Sequence, residues 1–393
     1  MPSIRVLELS HAVAGPTVSQ ILADYGAEVI KVERPDGGDI FRNVPGMGPS
    51  MFLAVNRGKR SVALDIKSRE GLRIFYELLK KCDVLVENLS PGTAERLGVN
   101  YRKARAVNPR LVYCKVESFG EGPSELLPAF DPVLQAATGI MSTTGFPPDK
   151  FARAGVSMVD MSTGMHGAIA TLFMLLERER TGKGGLIQIP LYDAAAYYMS
   201  YWLARYDLTG EDTSPLGSTH IFGAPYNLFR SRDGSHFFIA VAGNEAWNSL
   251  CNALGFKDLL SDKRYSTNGG RVAGKKKLEA EVARRISRMN GKQLERDLTS
   301  WRVPFARMNT AKSLSADPHF NARKLVDTYT FGGARFRTIV NPAILNGRRP
   351  HARSNPPKLG EDTSGLLREM LSLSEGELAE LERRGIIGRA SKS

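Results

Sequence analysis

The chain has 393 residues, 42% of them hydrophobic and 24% charged. This ordinary globular mixture argues against intrinsic disorder, and the length allows two or three domains, each with a real core. The formal net charge of +13 favours anionic partners, but does not choose among nucleic acid, a membrane surface and a phosphorylated cofactor.

The first third alternates strands and helices. Residues 4–9 (IRVLEL) read as a short apolar strand. Gly15-Pro16 opens a helix through about Asp24, since proline is tolerated in a first helical turn. Gly26 stops it, and residues 28–32 form the next strand. Residues 61–65, 84–86 and 111–113 continue the pattern, with Leu72, Phe75, Tyr76 and Leu79 on one helical face. This alternation implies a parallel sheet covered by helices on both faces. A long helix is expected from about Met161 to Arg180, ended by the glycines of residues 181–185, with a strand over 186–191. Residues 211–217 read as a linker. Two hairpins follow, residues 226–229 with 236–241 and residues 328–331 with 334–338, separated by charged helices. Residues 350–360 are an extended Pro-rich connection. A last helix runs over about 375–384, with Gly385 as its stop.

Cys82, Cys114 and Cys251 are far apart, so they read as buried small hydrophobes in a reducing compartment, with neither a disulfide nor a metal site expected. The first nine residues carry charges and enter a strand directly, unlike a signal peptide. The longest apolar stretch, around residues 169–176, is well short of the roughly 20 residues that span a bilayer. A soluble cytoplasmic protein is the expectation. The basic residues are scattered and no nucleic-acid-reading motif occurs, so neither nucleic acid nor a membrane is an expected partner.

Several residues carry possible chemistry. The opening strand–turn–helix–strand, with Glu33 after it, has the outline of a dinucleotide site. Its turn offers one glycine where three are needed, which argues against nicotinamide or flavin. His11 lies just after the first strand. It is a candidate general base, set against the commoner role of satisfying local hydrogen bonds. Arg34, the cluster Asn56, Arg57, Lys59 and Arg60, and Arg96 lie at several strand ends. They could converge on one polyphosphate or form a solvated basic rim, and spacing alone leaves both open. Asp160 stands among apolar residues where the long helix begins. Taken alone it reads first as a helix cap, and otherwise as a nucleophilic carboxylate able to carry an acyl group.

Longer motifs separate these readings. Residues 6–9 (VLEL) with 14–16, 22–34 (LADYGAEVIKVER), 56–65 (NRGKRSVALD), 83–92 (DVLVENLSPG), 155–164 (GVSMVDMSTG), 177–184 (ERERTGKG) and 357–363 (PKLGEDT) closely resemble the family III CoA-transferases, in family order and over nearly the whole chain. The resemblance implies an α/β fold. A doubly wound parallel-sheet large domain is built from both chain ends, with a small α+β domain between and two subunits interlocked as a homodimer. A paralogous partner subunit is the variant found in some relatives. Residues 1–210 would then be the first part of the large CoA-binding domain, 217–330 the small domain, and 331–393 a linker and the return to the large domain.

The resemblance makes Asp160 the nucleophile that carries CoA from an acyl-CoA to a carboxylic acid, with no metal and no prosthetic group. Coenzyme A and its thioesters are substrates, and succinyl-CoA or another dicarboxylyl-CoA is the implied donor. Arg34 matches an arginine beside the CoA adenine, and Asn88, Leu89 and Arg96 fall in the segment that contacts the CoA chain. Val13 and Phe130 stand where formyl-CoA transferase has a glutamine and a tyrosine, which speaks against formyl-CoA/oxalate exchange. Together with His11 these residues make up the expected site. Residues 216–223 (LGSTHIFG) match a mobile glycine-containing lid but hold only two glycines. The alternatives are an α-methylacyl-CoA racemase, disfavoured because Phe130 replaces its proton-accepting histidine, and a non-catalytic CoA-binding protein.

Overall fold

The computed structural model describes residues 4–352 and 354–388. They form two compact units. The first draws on three stretches: residues up to Ser142, Ala152–Thr213, and Lys324 onward. The second takes Thr143–Phe151 and Ser214–Arg323.

The first unit is built on one sheet. Its parallel strands are β1 (Arg5–Leu9), β2 (Glu28–Glu33), β3 (Arg60–Leu64), β4 (Val84–Glu87), β5 (Val112–Glu117) and β6 (Gly185–Pro190). They are ordered β3-β2-β1-β4-β5-β6, and a short tail strand, Ile387–Gly388, runs antiparallel along β3. The inner strands are buried on both faces, as a doubly covered parallel sheet requires: Val6, Leu7, Ile30, Val84 and Leu85 have no solvent exposure. The order reverses between β1 and β4, and ligands bind at the carboxyl edge beside such a reversal.

Helix α1 (Ala14–Asp24) connects β1 to β2. The α2 helix (Asp131–Ala137) and the 24-residue α3 (Met158–Thr181) lie between β5 and β6. Because α1 and α3 each link parallel neighbours in the chain path, both begin at the carboxyl edge. α3 ends at Gly182, whose φ of 72° is the left-handed conformation a glycine stop supplies. It starts earlier than the sequence pattern suggests, so Asp160 lies inside its first turn and not ahead of it. By length and composition α3 is also the one described helix that could cross a membrane. One face is nonetheless buried, through Val159, Thr163, Gly164 and Thr171.

α1 and α3 approach closely. A Cβ on Gly164 would stand 2.5 Å from Thr17 Cβ and 3.1 Å from the Ala14 carbonyl oxygen, and one on Gly167 would stand 2.8 Å from a Val18 methyl carbon. Helix α4 (Ser200–Thr209) follows β6, and the chain end returns to this unit through α5 (Thr363–Leu371) and α6 (Glu375–Arg383). The motif ahead of α5 grips β3. Asp362 Oδ2 accepts from Ser61 N at 2.9 Å, and Thr363 Oγ1 accepts from Ala63 N at 3.0 Å.

The second unit carries the antiparallel strands β7 (Tyr226–Arg230), β8 (His236–Ala240) and β9 (Phe305–Arg307), packed on helices around Trp247, Phe237 and Leu278. The other hairpin, Val326–Phe331 with Ala334–Ile339, falls in the first unit.

Gly164→Ala tests the helix approach. It is expected to cost about 1–3 kcal/mol of stability by overpacking, read by thermal or denaturant unfolding. Gly155→Ala, with nothing within 4 Å of the added carbon, is the unchanged control.

Candidate active site

A cavity of about 620 Å³ opens at the carboxyl edge, over the ends of β1, β2, β3 and the segment after β4. His11, Arg34, Lys67, Leu89 and Thr93 are among its walls, and Gly385 closes part of it from the chain's tail. Arg34 and Lys67 are exposed cations on this wall. The sequence reading missed Lys67 and Thr93. Their signal was position, since both follow strand ends on the ligand-binding edge.

The segment after β4 is held from beneath. Glu87 Oε2 accepts from Leu89 N at 2.8 Å, and burial pushes the Glu87 carboxyl up to about 7. Asn88 faces the β1–α1 turn, accepting from His11 N at 2.9 Å and donating to His11 O at 2.8 Å. His11 thus uses its backbone to hold the turn at the cavity wall. Burial lowers its imidazole pKa and favours the neutral ring. Two residues on, Val13 is the N-cap of α1 and is buried.

α1 in turn sets the start of α3. Met161 Sδ lies 3.6 Å from Thr17 Oγ1, and Gly164 packs on Ala14 and Thr17. Ser157, the N-cap of α3, makes no side-chain cap bond. The capping comes from α2: Asp131 Oδ2 accepts from Val159 N at 2.7 Å and from Asp160 N at 3.2 Å. Gln135 Nε2 donates to Asp131 Oδ1 at 2.5 Å, and Gln135 Oε1 accepts from Ala154 N at 2.8 Å. Asp131 is therefore the structural carboxylate, which corrects the reading of Asp160 as a cap.

Among the described residues no group donates a hydrogen bond to the Asp160 carboxylate. A helix N-terminus favours a carboxylate by about 0.3–1 kcal/mol. Here the opposing effects win: burial first, and the charge of Asp131 second, push the Asp160 carboxyl up to about 7. A partly buried, unengaged carboxylate at a sheet's ligand edge is poised for chemistry more than for stability.

The remaining expected residues are dispersed. Phe130 is the N-cap of α2 and is 67% exposed. Arg96 is exposed and donates to Thr93 Oγ1 at 2.7 Å, so it reaches the cavity wall through a neighbour. Asp160, Val13, Phe130 and Arg96 are not among the cavity's lining residues. The basic cluster of residues 56–60 is no polyphosphate cradle. Arg57 is buried against Asp24 at 2.8 Å, Lys59 is buried against Glu8 at 2.7 Å, and Arg60 pairs with Glu28 and Glu369. Glu33, the outline's ribose ligand, is held by both Nε and Nη2 of Arg42 at 2.7 Å.

The candidate lid, residues 216–223, lies in the second unit, tied down locally. Gly217 N donates to Gly145 O at 2.7 Å, Asn268 Nδ2 donates to Phe222 O at 2.9 Å, and Lys275 Nζ donates to His220 O.

Comparison with known proteins gives the family. The sequence model of CoA-transferase family III matches residues 1–363. The succinate–glutarate CoA-transferase of Agrobacterium fabrum is 32% identical over 94% of this chain and 95% of its own. The acetyl-CoA:oxalate CoA-transferase of Acetobacter aceti is 33% identical over 93% and 94%. Among solved structures, a CAIB/BAIF family protein from Brucella suis superimposes with a TM-score of 0.85 at 32% identity, covering 93% of this chain and 98% of that one. The chain belongs to CoA-transferase family III, and it is an enzyme of that family.

The raised Asp160 pKa has a stability consequence. Folding lifts this carboxyl above its ordinary 3.8. The charged form therefore costs stability, absent at pH values below the unfolded value, growing between about 4 and 7, and full above about 7. Asp160→Asn is expected to stabilise the protein by roughly 0.5–2 kcal/mol at pH 8 and to leave it unchanged at pH 3.5, read by unfolding curves at both.

Proposed function

We propose that this enzyme moves CoA from a dicarboxylyl-CoA to a second carboxylic acid through covalent intermediates on Asp160. The observation that carries this reading is the division of labour between two carboxylates: Asp131 caps α3, and Asp160 is left unengaged.

In the first step one Asp160 oxygen attacks the thioester carbonyl carbon. The C–S bond breaks, CoA leaves as thiolate, and a mixed anhydride remains. The thiolate then attacks the Asp160 carbonyl, releasing the donor acid as its carboxylate and leaving CoA as a thioester on Asp160. The acceptor carboxylate attacks that thioester, giving a second anhydride and free thiolate. The thiolate attacks the acceptor's carbonyl, which yields the new acyl-CoA and restores Asp160. Each step takes in one anion and releases one, so no proton has to be moved and no ATP is consumed. An anhydride is as reactive as the thioester it replaces, and excluding water protects both.

The cavity supports the CoA assignment, with Arg34 and Lys67 able to meet phosphate oxygens. Names of relatives that specify succinate, glutarate and oxalate support dicarboxylic substrates. Phe130 offers no proton acceptor, which disfavours racemisation. A reducing, cytoplasmic setting fits three free, buried cysteines.

We also read the protein as an interlocked homodimer. Helices α3 and α4 expose Phe173, Leu176, Tyr201, Leu203 and Leu208, each at 64% or more, and apolar area on that scale marks an interface. An interlocked dimer should stay dimeric on dilution to nanomolar concentration and dissociate only on unfolding. Mass photometry with and without denaturant reads this, and monomers in native buffer would refute it.

The decisive test incubates the protein with succinyl-CoA and a panel of acids, glutarate and oxalate included, and reads new thioesters by mass spectrometry. Asp160→Ala is expected to lose at least about 10³-fold in turnover while CoA binding survives. Hydroxylamine during turnover should label Asp160 alone. A second prediction concerns pH. The nucleophile must be ionised, so kcat/KM should rise with pH through a midpoint near 7. Asp131→Asn removes a like charge and should move that midpoint to lower pH. An unmoved midpoint would detach the profile from this pair.

A further inference from the structure

The residues 56–60 motif and two charged strand residues remain without a role in the site as read so far. They meet in one buried chain of charges. Lys59 Nζ lies 2.7 Å from Glu8 Oε2, and Lys31 Nζ lies 2.7 Å from Glu8 Oε1 and 3.0 Å from Asp39 Oδ2. The side chains of Glu8, Lys31 and Lys59 have no solvent exposure. Two cations face two anions, so the group is neutral as a whole. Burial opposes ionisation of Glu8, yet Lys31 and Lys59 outweigh it and hold its carboxyl down to about 2.

A buried chain of this kind is a poor device for stability alone, because apolar residues of the same volume often serve as well or better. Ser19, Phe41 and Asn56 take some of its hydrogen bonds, and the others go to the β1–α1 turn and the first turn of α1. Lys31 Nζ donates to Ser10 O at 2.8 Å, and Ser10 Oγ donates to Glu8 Oε1 at 2.7 Å. Ala12 N donates to Asp39 Oδ1 at 3.2 Å, and Lys59 Nζ donates to Pro16 O at 2.9 Å. Ala12 needs such support, since its φ of 63° is a left-handed conformation that a residue with a Cβ disfavours. This turn begins at the cavity wall with Ser10 and His11 and ends at the helix pair that carries Asp160.

We propose that Lys59, acting through Glu8 and the Pro16 carbonyl, is a positioning residue of the transfer reaction: it locks the β1–α1 turn and so fixes the nucleophile's helix against the CoA cavity. The proposal rests on the reading of Asp160 given above. A locked turn matters because small displacements of a nucleophile from its attack geometry cost far more rate than binding.

Lys59→Met keeps the stem and removes the charge. Steady-state transfer with the best acid pair of the panel, CoA affinity by calorimetry, and thermal unfolding are measured together. The expected result is a fall in kcat of about tenfold or more, with CoA affinity within about threefold of wild type. Glu8→Gln should behave alike, and the double variant should lose less than the product of the two, because the pair acts as a unit. If Lys59→Met does not fold, Asn56→Ala gives a milder probe. It removes the Asn56 Oδ1 acceptor 3.0 Å from Lys59 Nζ, and a fall in kcat without a fall in CoA affinity is again expected. Unchanged kcat in a folded variant, or a parallel loss of kcat and CoA affinity, overturns the positioning role. Wild-type protein that transfers CoA to no acid overturns the Asp160 reading and this proposal with it. An active wild type with an indifferent Lys59→Met overturns only this one.

Discussion

The first turn of a helix leaves N–H groups that need acceptors, and the nearest carboxylate normally supplies them. In this protein that demand falls on Asp131, which reaches from α2 to Val159 N and Asp160 N. Gln135 holds the other oxygen of Asp131 and also fastens the strand of chain leading into α3. The consequence is subtractive. Asp160 occupies a position where a carboxylate would ordinarily be consumed by its own helix, and it is not consumed. Burial then acts on a carboxylate without partners, and raises its pKa where the helix dipole alone would lower it.

Close helix packing makes this arrangement rigid. Gly164 and Gly167 let α3 lie against α1 at distances that no side chain would tolerate. The turn before α1 is bonded from β2 and from the segments after β2 and after β4, and the first turn of α1 from the segment before β3, so the placement of Asp160 is tied to the sheet through two helices and one turn. The site is thus supported by regular structure, and loops contribute mainly the cavity walls.

The parallel sheet was legible because buried strands read as unbroken apolar runs, and the helices because glycines and caps mark their ends. Only the motif around it sets Asp160 apart in the sequence. Composition and spacing alone assigned it the capping role that Asp131 performs, since a partner 29 residues away leaves no local pattern. The basic cluster misled for a related reason. Lysine and arginine read as solvated until a buried partner is known. A signal was nonetheless present. Glu8 and Lys31 interrupt strands buried on both faces, and a charge there must find an opposite charge or an equivalent partner. Strand charges that violate the apolar run were the sequence's own pointer to the network.

The strand order β3-β2-β1-β4-β5-β6 is also that of dinucleotide-binding folds, and the cavity lies at the same reversal. The use of α1 differs. In a glycine-rich turn, exposed backbone N–H groups at the helix start receive a pyrophosphate. Here Val13 is the buried N-cap, and the turn's backbone is already bonded to Asn88 and Asp39. The N–H groups of His11 and Ala12 are thus already committed, and the cations on the cavity wall, Arg34 and Lys67, stand at other strand ends. The start of α1 packs instead against the start of α3. One sheet edge thus carries a cavity with exposed cations on its wall, and the helix that starts beside α1 carries the unengaged carboxylate of Asp160.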